Sequence, residues 1–269
     1  MRNWKDNVRF LLVQPTEGGN IGASARAIKN MGFRNLGIVG SSEEINEEAR
    51  RFAHNAEDVL DSASFYNAFG EAIRDISVVI GTTRRRGRRR GVIVPVEAGA
   101  RQVCALAQDN RIAFVFGRED RGLYNEEVEE CGFMVTIPTG SEQPSLNLSH
   151  AVLIVAYELL KAGYALQSGC SRGEPHTGGG RKCPVPSPVE SEITPAGRVP
   201  LVAHEELIRF FGRVSSMLKL LDYMPRGDRD LDHKIMQNIK RFLSRGGLTE
   251  WELKMLNGII SQIEKKIRK

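Results

Sequence analysis

Val8-Arg9-Phe10-Leu11-Leu12-Val13-Gln14-Pro15-Thr16-Glu17-Gly18-Gly19-Asn20-Ile21-Gly22-Ala23-Ser24-Ala25-Arg26 is the stretch on which the reading of this chain turns. The apolar run Val8–Val13 predicts a strand buried on both faces, as in a parallel sheet. Small residues and glycines follow, and then a helical pattern over Ile21–Met31, with Asn20 at its N-cap and Gly32 as its stop. A strand that hands over to a helix through such a turn places polar groups at the carboxyl edge of a sheet. In open α/β sheets that edge is where ligands bind.

The same alternation continues along the chain. Leu36–Val39 reads as a second strand, and Ser41-Ser42-Glu43-Glu44 as a capping box opening a helix to about Phe52. A helix near Glu71 leads to the strand Ser77–Ile80, and a helix over 96–107 follows Pro95. The strand Ile112–Phe116, a short helix after Asn125, the strand Phe133–Ile137 and a helix from Leu146 to about Ala165 complete the unit. In that last helix Leu148, Val152, Val155 and Leu159 share one face. Strands alternating with helices predict an α/β domain over residues 1–167, a mostly parallel sheet covered by helices on both faces. Residues 168–200 turn to Gly, Pro, Ser and Thr and read as a flexible linker. Three amphipathic stripes follow in residues 201–269, predicting a small helical bundle. They are Leu207–Leu221; Leu231, Ile235, Ile239 and Phe242; and Leu253–Ile267, the last opened by a Thr249/Glu252 capping box and a Leu248/Leu253 staple.

Composition narrows the class. In 269 residues, 41% are apolar and 26% charged, enough to build a core. No apolar run reaches membrane-spanning length and Met1–Lys5 begins no signal-peptide core, so a cytoplasmic location is expected. Cys104 and Cys131 sit in apolar patterns and are expected as buried thiols. Cys170 and Cys183 bracket His176 at a spacing that matches no standard zinc set, so neither metal nor disulfide is expected. The net charge of +5 is unevenly spread: residues 1–200 carry 24 basic and 24 acidic side chains, residues 201–269 carry 14 and 9. Arg84-Arg85-Arg86-Gly87-Arg88-Arg89-Arg90 packs six arginines together, a run suited to a solvated loop or a polyanion.

Two further segments stand at predicted strand ends: Phe116-Gly117-Arg118-Glu119-Asp120-Arg121-Gly122-Leu123 and Pro144-Ser145-Leu146-Asn147-Leu148-Ser149. Taken singly, each has an ordinary reading. Arg26 is a surface arginine, Gly117 and Gly122 belong to a tight turn, and Ser145 or Asn147 caps a helix. A dinucleotide-binding reading of Gly18-Gly19-Asn20-Ile21-Gly22 fails because the Gly-x-Gly-x-x-Gly spacing is missing.

Together, in this order and spacing over roughly Val8–Ala165, the three segments resemble the SPOUT superfamily of RNA methyltransferases in its SpoU/TrmH branch. The resemblance implies a trefoil knot at the end of the α/β domain, S-adenosylmethionine as cofactor, and a homodimer in which both subunits complete each site. It implies catalytic roles for Asn20, Arg26, Glu119, Ser145 and Asn147. It implies a cofactor cradle from Thr82, Thr83, Arg84, Gly117, Gly122, Ile137, Pro144, Ser145 and Leu146. RNA contacts fall to Arg26 and to Arg85, Arg86, Arg88, Arg89 and Arg90. The C-terminal basic extension resembles that of the TrmJ group, which methylates the ribose 2′-oxygen of cytidine or uridine 32 in the tRNA anticodon loop, and implies that the bundle binds tRNA. An rRNA 2′-O-methyltransferase of the same branch and a non-catalytic RNA-binding module are the alternatives. A guanidinium rarely gives up its proton, so Arg26 is expected to orient the ribose and stabilise developing alkoxide charge.

Overall fold

The computed structural model describes residues 3–85, 87, 90–167, 200–223 and 229–267. Of the expected linker over 168–200, residues 168–199 with Cys170, His176 and Cys183 lie outside them, as do Arg86, Arg88 and Arg89. Seven strands form one sheet: β1 (Val8–Val13), β2 (Asn35–Val39), β3 (Ser64–Tyr66), β4 (Val78–Thr82), β5 (Ile93–Pro95), β6 (Ile112–Phe116) and β7 (Phe133–Thr136). Their spatial order is β3-β2-β1-β6-β4-β7-β5, and every pairing is parallel. The two edge strands, β3 and β5, are absent from the sequence reading. Three residues are too few to show a period, and each is recruited by its neighbour's backbone.

Among the described residues seven α-helices accompany this sheet: α1 (Gly18–Asn30), α2 (Glu47–Ala53), α3 (Glu57–Asp61), α4 (Phe69–Ile73), α5 (Val96–Leu106), α6 (Asn125–Glu129) and α7 (Leu148–Gln167). The apolar runs of the central strands are explained by the two cores they serve. Phe10, Leu12, Ile80, Phe114 and Phe116 face a layer with residues of α1, α2, α3, α5 and α7, including Leu148, Val152, Val155 and Leu159. The intervening Leu11, Val13, Val79, Ala113 and Val115 face the other layer, with Ala72 and Ile73 of α4 and Val128 of α6. Period-2 alternation thus buries successive side chains on opposite faces.

Two expected helix starts are corrected. α1 opens at Gly18, so Asn20 lies inside its first turn and is not the N-cap; its side chain is committed elsewhere. The capping box at Ser41 does not open a helix. Residues Ser42–Glu44 form a single 3-10 turn, and α2 starts at Glu47 with the Asn46 side chain accepting from Ala49 N at 3.0 Å.

The C-terminal segment forms α8 (His204–Leu220), α9 (Arg229–Ser244) and α10 (Glu250–Ile267) around Leu207, Phe210, Phe211, Val214, Leu253 and Ile260. The α10 capping box forms as read: Thr249 N donates to Glu252 at 2.8 Å and Glu252 N to Thr249 Oγ1 at 3.2 Å. The expected α9 stripe is corrected. Met236, Ile239 and Leu243 turn to the core, while Phe242 is 73% exposed. Among the described residues no helix is long and apolar enough to cross a membrane. Cys104 and Cys131 are buried, and burial pushes the Cys104 thiol up to about 12 and the Cys131 thiol higher still.

Candidate active site

The carboxyl ends of β1, β6, β4 and β7 lie side by side because those strands are consecutive across the sheet. The strand order reverses across β1 and β6: one branch runs to β2 and β3, the other to β4, β7 and β5, the arrangement that leaves a crevice at strand ends. A cleft opens there. Its lining includes Thr82, Thr83, Arg84, Arg85 and Arg90 after β4, Gly117–Gly122 after β6, and Ile137, Pro144, Ser145 and Leu146 after β7. Every residue proposed for the cofactor cradle therefore borders the same space, and Phe116, Leu123, Val135, Leu148 and Ala151 give it an apolar floor.

Local bonding fixes each wall. Thr82 Oγ1 donates to Val115 O at 3.0 Å, tying β4 to β6, and Thr83 N donates to Val135 O at 2.9 Å. The Thr83 hydroxyl then turns the arginine segment by accepting from Arg85 N at 3.1 Å. In the β6 loop, Arg118 N donates to Gly122 O at 3.3 Å and Gly122 N returns to Arg118 O at 2.8 Å. This pinch explains two glycines. A side chain at Gly117 would overlap the Gly122–Leu123 backbone, and Gly122 holds a φ of +70°.

Next to the cleft, Asn20, Glu119 and Asn147 are joined by hydrogen bonds. Asn147 Nδ2 donates to Asn20 Oδ1 at 2.7 Å, and Asn20 Nδ2 donates to Glu119 Oε1 at 3.1 Å and to Glu17 Oε2 at 2.9 Å. The amide orientations follow from chemistry, since carboxylates only accept and so must face Asn20 Nδ2. Asn147 also caps α7: its Oδ1 accepts from Ser149 N at 2.8 Å and from the Ser149 hydroxyl at 2.7 Å. The ordinary reading and the functional one are both satisfied by one side chain. Glu119 accepts in addition from Thr16 N at 3.2 Å and from the Thr16 hydroxyl at 3.2 Å. With both oxygens engaged, Glu119 braces the β1 and β6 loops against each other.

Arg118 is held in a structural ion pair. Its guanidinium meets Glu127 of α6 at 2.9 and 3.1 Å, Gln14 Oε1 at 2.8 Å, and the Tyr124 ring at 3.8 Å. Asp120 and Arg121 pair with each other at the surface. Sequence reasoning misses Gln14, Thr16, Glu17 and Glu127. For the first three the signal is their place directly after β1; for Glu127, on a separate helix, there is none.

Arg26 is not brought into the cleft. It is exposed on α1. Arg86, Arg88 and Arg89 fall outside the described residues, while Arg84, Arg85 and Arg90 line the cleft. Arg90 is half-buried, and burial, then the neighbouring Arg85 charge, lower its pKa.

A family model for the SpoU rRNA methylase family matches residues 7–157. The chain belongs to the SpoU methylase family. The matched SpoU segment runs from the start of β1 into α7 and contains every cleft residue named above. The tRNA (cytidine-2′-O-)-methyltransferase TrmJ of Methanocaldococcus jannaschii is 44% identical over 153 residues, 56% of this chain and 66% of that protein. The tRNA (cytidine/uridine-2′-O-)-methyltransferase TrmJ of Escherichia coli strain K12 is 34% identical over 261 residues, 97% of this chain and 96% of that one. Among solved structures, TrmJ from Z. mobilis ZM4 superposes with a TM-score of 0.70 at 26% identity, covering 95% of this chain and 98% of its own. A probable methylase family protein from Haemophilus influenzae Rd KW20 covers 98% of both chains with a TM-score of 0.59 at 29% identity. The likeness to both structures therefore extends past the SpoU segment into the C-terminal bundle.

Proposed function

We propose that this chain is a tRNA ribose 2′-O-methyltransferase that uses S-adenosylmethionine and acts on cytidine or uridine 32 of the anticodon loop. The observation that carries the reading is the meeting of three separate motif loops in one cleft of a SpoU-family chain. The substrate assignment is supported by similarity over nearly the whole chain to proteins named as tRNA (cytidine/uridine-2′-O-)-methyltransferases.

The cleft suits the cofactor chemically. Its apolar floor fits an adenine, the backbone groups of Gly117–Gly122 and of Ile137 can satisfy the ring and ribose, and the Arg84, Arg85 and Arg90 rim fits a carboxylate. When bound, the sulfonium supplies an activated methyl group and needs no covalent enzyme intermediate. The chain's own residues then work by placement: the braced loops hold the reacting groups in line. Ser145 and Asn147 stand at the start of α7 and border the reacting region. Arg26 orients the ribose through a phosphate and stabilises charge on the 2′-oxygen.

The exposure of Arg26 outside its own chain's cleft supports a shared site, in which Arg26 serves the cleft of a second copy within a homodimer. Mixing an Arg26→Ala chain with a chain whose cleft is blocked by Gly117→Val tests both points. Each variant alone is inactive, and the mixture regains methyl transfer to tRNA. If the mixture stays inactive while the chains co-elute as a dimer, Arg26 serves its own subunit and the shared-site reading is wrong. The bundle over residues 201–269 forms a tRNA-binding extension, a reading supported by the charge excess of that segment.

A further inference from the structure

The excess charge of the C-terminal segment suggests a second grip hanging on a tether, but the bundle is docked. The seam is made by main-chain and side-chain groups of both parts. His204 N donates to Ile76 O at 2.9 Å, Glu205 N to Arg74 O at 3.2 Å, and Leu201 N to Asn110 Oδ1 at 2.6 Å. At the centre of the seam stand two adjacent carboxylates at the end of α6. Glu130 accepts from His204 Nε2 at 3.0 Å and from Lys240 Nζ at 2.9 Å, so it ties α8 and α9 together to the catalytic domain. Glu129 meets His233 of α9 at 3.1 Å. His204 is 5% exposed and Glu130 and Lys240 are half-buried, while the Glu129–His233 pair stands at the rim of the joint with His233 exposed.

The joint has a geometric consequence. Just after Glu130, Gly132 lets the last turn of α9 come down on the main chain: a side chain there would overlap the Ser244 carbonyl. Three residues earlier on α9, Arg241 lies over Gly91, with its Nε 3.2 Å from where a Cβ of Gly91 would stand. Gly91 directly follows Arg90, which lines the cofactor cleft. The Arg245 carbonyl also accepts from Gln102 of α5 at 3.4 Å, placing a further arginine on the same flank. The arginine segment and the basic end of α9 are therefore one neighbourhood.

We propose that Glu129 and Glu130 are positioning residues: by locking the bundle onto the catalytic domain, they set Arg241 and Arg245 beside Arg84, Arg85 and Arg90, so that a structured RNA meets one continuous cationic surface. This rests on the reading of the chain as an RNA methyltransferase and adds where the bundle's charge acts. Phosphate contacts made along a fixed surface add their counterion release together, whereas a tethered bundle would bind through an effective concentration set by its linker.

The test compares wild type, Glu129→Gln/Glu130→Gln, Arg241→Ala, and the charge exchange Glu130→Lys/Lys240→Glu, all as full-length chains. Hydrogen exchange at the amides of His204 and Glu205 reads docking. Titration with bulk tRNA at several salt concentrations reads the surface, and titration with S-adenosylmethionine reads the cleft. In the double glutamine variant the amides lose protection, the tRNA affinity falls by on the order of tenfold or more, and cofactor affinity holds. Arg241→Ala keeps the protection and lowers the salt slope by about 0.7–0.9. The exchange variant recovers protection and affinity together. The proposal is overturned if undocking leaves tRNA affinity and salt slope unchanged, or if the double glutamine variant stays docked. If wild type binds tRNA but methylates none of it, the enzymatic reading fails while these binding and exchange outcomes still judge the joint.

Discussion

Asn147 donates its side-chain amide to the side-chain Oδ1 of Asn20 at 2.7 Å, joining residues 127 positions apart. One bond thereby couples the start of α7 to the first turn of α1, and through Asn20 to Glu17 and Glu119. In a network of this kind the pair is worth more than either deletion shows. A double-mutant cycle of Asn20→Ala and Asn147→Ala, read by urea unfolding, is expected to show a coupling energy of about 0.5–3 kcal/mol. Additive effects would mean that the two side chains act independently.

Arg26 lies outside the cleft of its own chain, so its removal should separate chemistry from cofactor binding. Arg26→Ala is expected to abolish methyl transfer to tRNA while S-adenosylmethionine affinity stays within about twofold, a difference under about 0.5 kcal/mol. Isothermal titration beside a radiolabelled transfer assay checks this. A parallel fall in both would show that the residue holds the fold.

Gly117→Ala carries the opposite signature. The added methyl meets the Gly122–Leu123 backbone, which cannot rotate away as a side chain can. Overpacking of this kind costs about 1–3 kcal/mol, and the loop relieves it by opening the pinch between Arg118 and Gly122. Cofactor affinity should fall by on the order of tenfold or more, with a smaller change in thermal midpoint. Unchanged cofactor affinity would place the bound ligand elsewhere.

Removing the arginine rim tests the electrostatic part of the cleft. Replacing Arg84, Arg85 and Arg90 with alanine should flatten the salt dependence of tRNA binding by roughly 0.7–0.9 for each phosphate that is no longer neutralised. If the slope is unchanged, the segment is only a solvated loop.

Glu130 gives a pH prediction with a definite sign. Burial alone would raise its pKa, but the hydrogen bond from His204 and the charge of Lys240 win and bring it to about 2. A carboxylate depressed in the folded state stabilises the protein above its unfolded value and loses that contribution as pH falls through the folded one. The stability gap between wild type and Glu130→Gln should therefore be present above the ordinary glutamate value of 4.5, narrow below it, and close near pH 2. Urea unfolding at each pH measures it. A gap that persists undiminished at the acid end would show that the ionised carboxylate contributes nothing.

Much of this molecule is written into local sequence. The runs Val8–Val13 and Ile112–Phe116 read as strands buried on both faces, and the Leu148, Val152, Val155 and Leu159 stripe as the inner face of a covering helix, and the structure has both. Those patterns arise from period and burial, which neighbouring residues carry by themselves. The three motif loops are legible for the same reason, as breaks of glycine and small polar residues at the ends of such runs. Tertiary structure decides what the loops do to one another. No local rule links Arg118 to Glu127, or Glu119 to Thr16, and local pattern makes Asn20 a cap when its amide is instead engaged by two carboxylates and Asn147. The edge strands β3 and β5 likewise exist because a neighbour's backbone offers hydrogen bonds, not because their three residues demand extension. The seating of the bundle belongs here too: amphipathic stripes foretell three helices, but the face they dock on is set by Glu129, Glu130 and the space left at Gly132. A local pattern records which side of an element is buried; only the packed chain fixes which distant polar group meets which, because that bond becomes necessary only once both groups have left water.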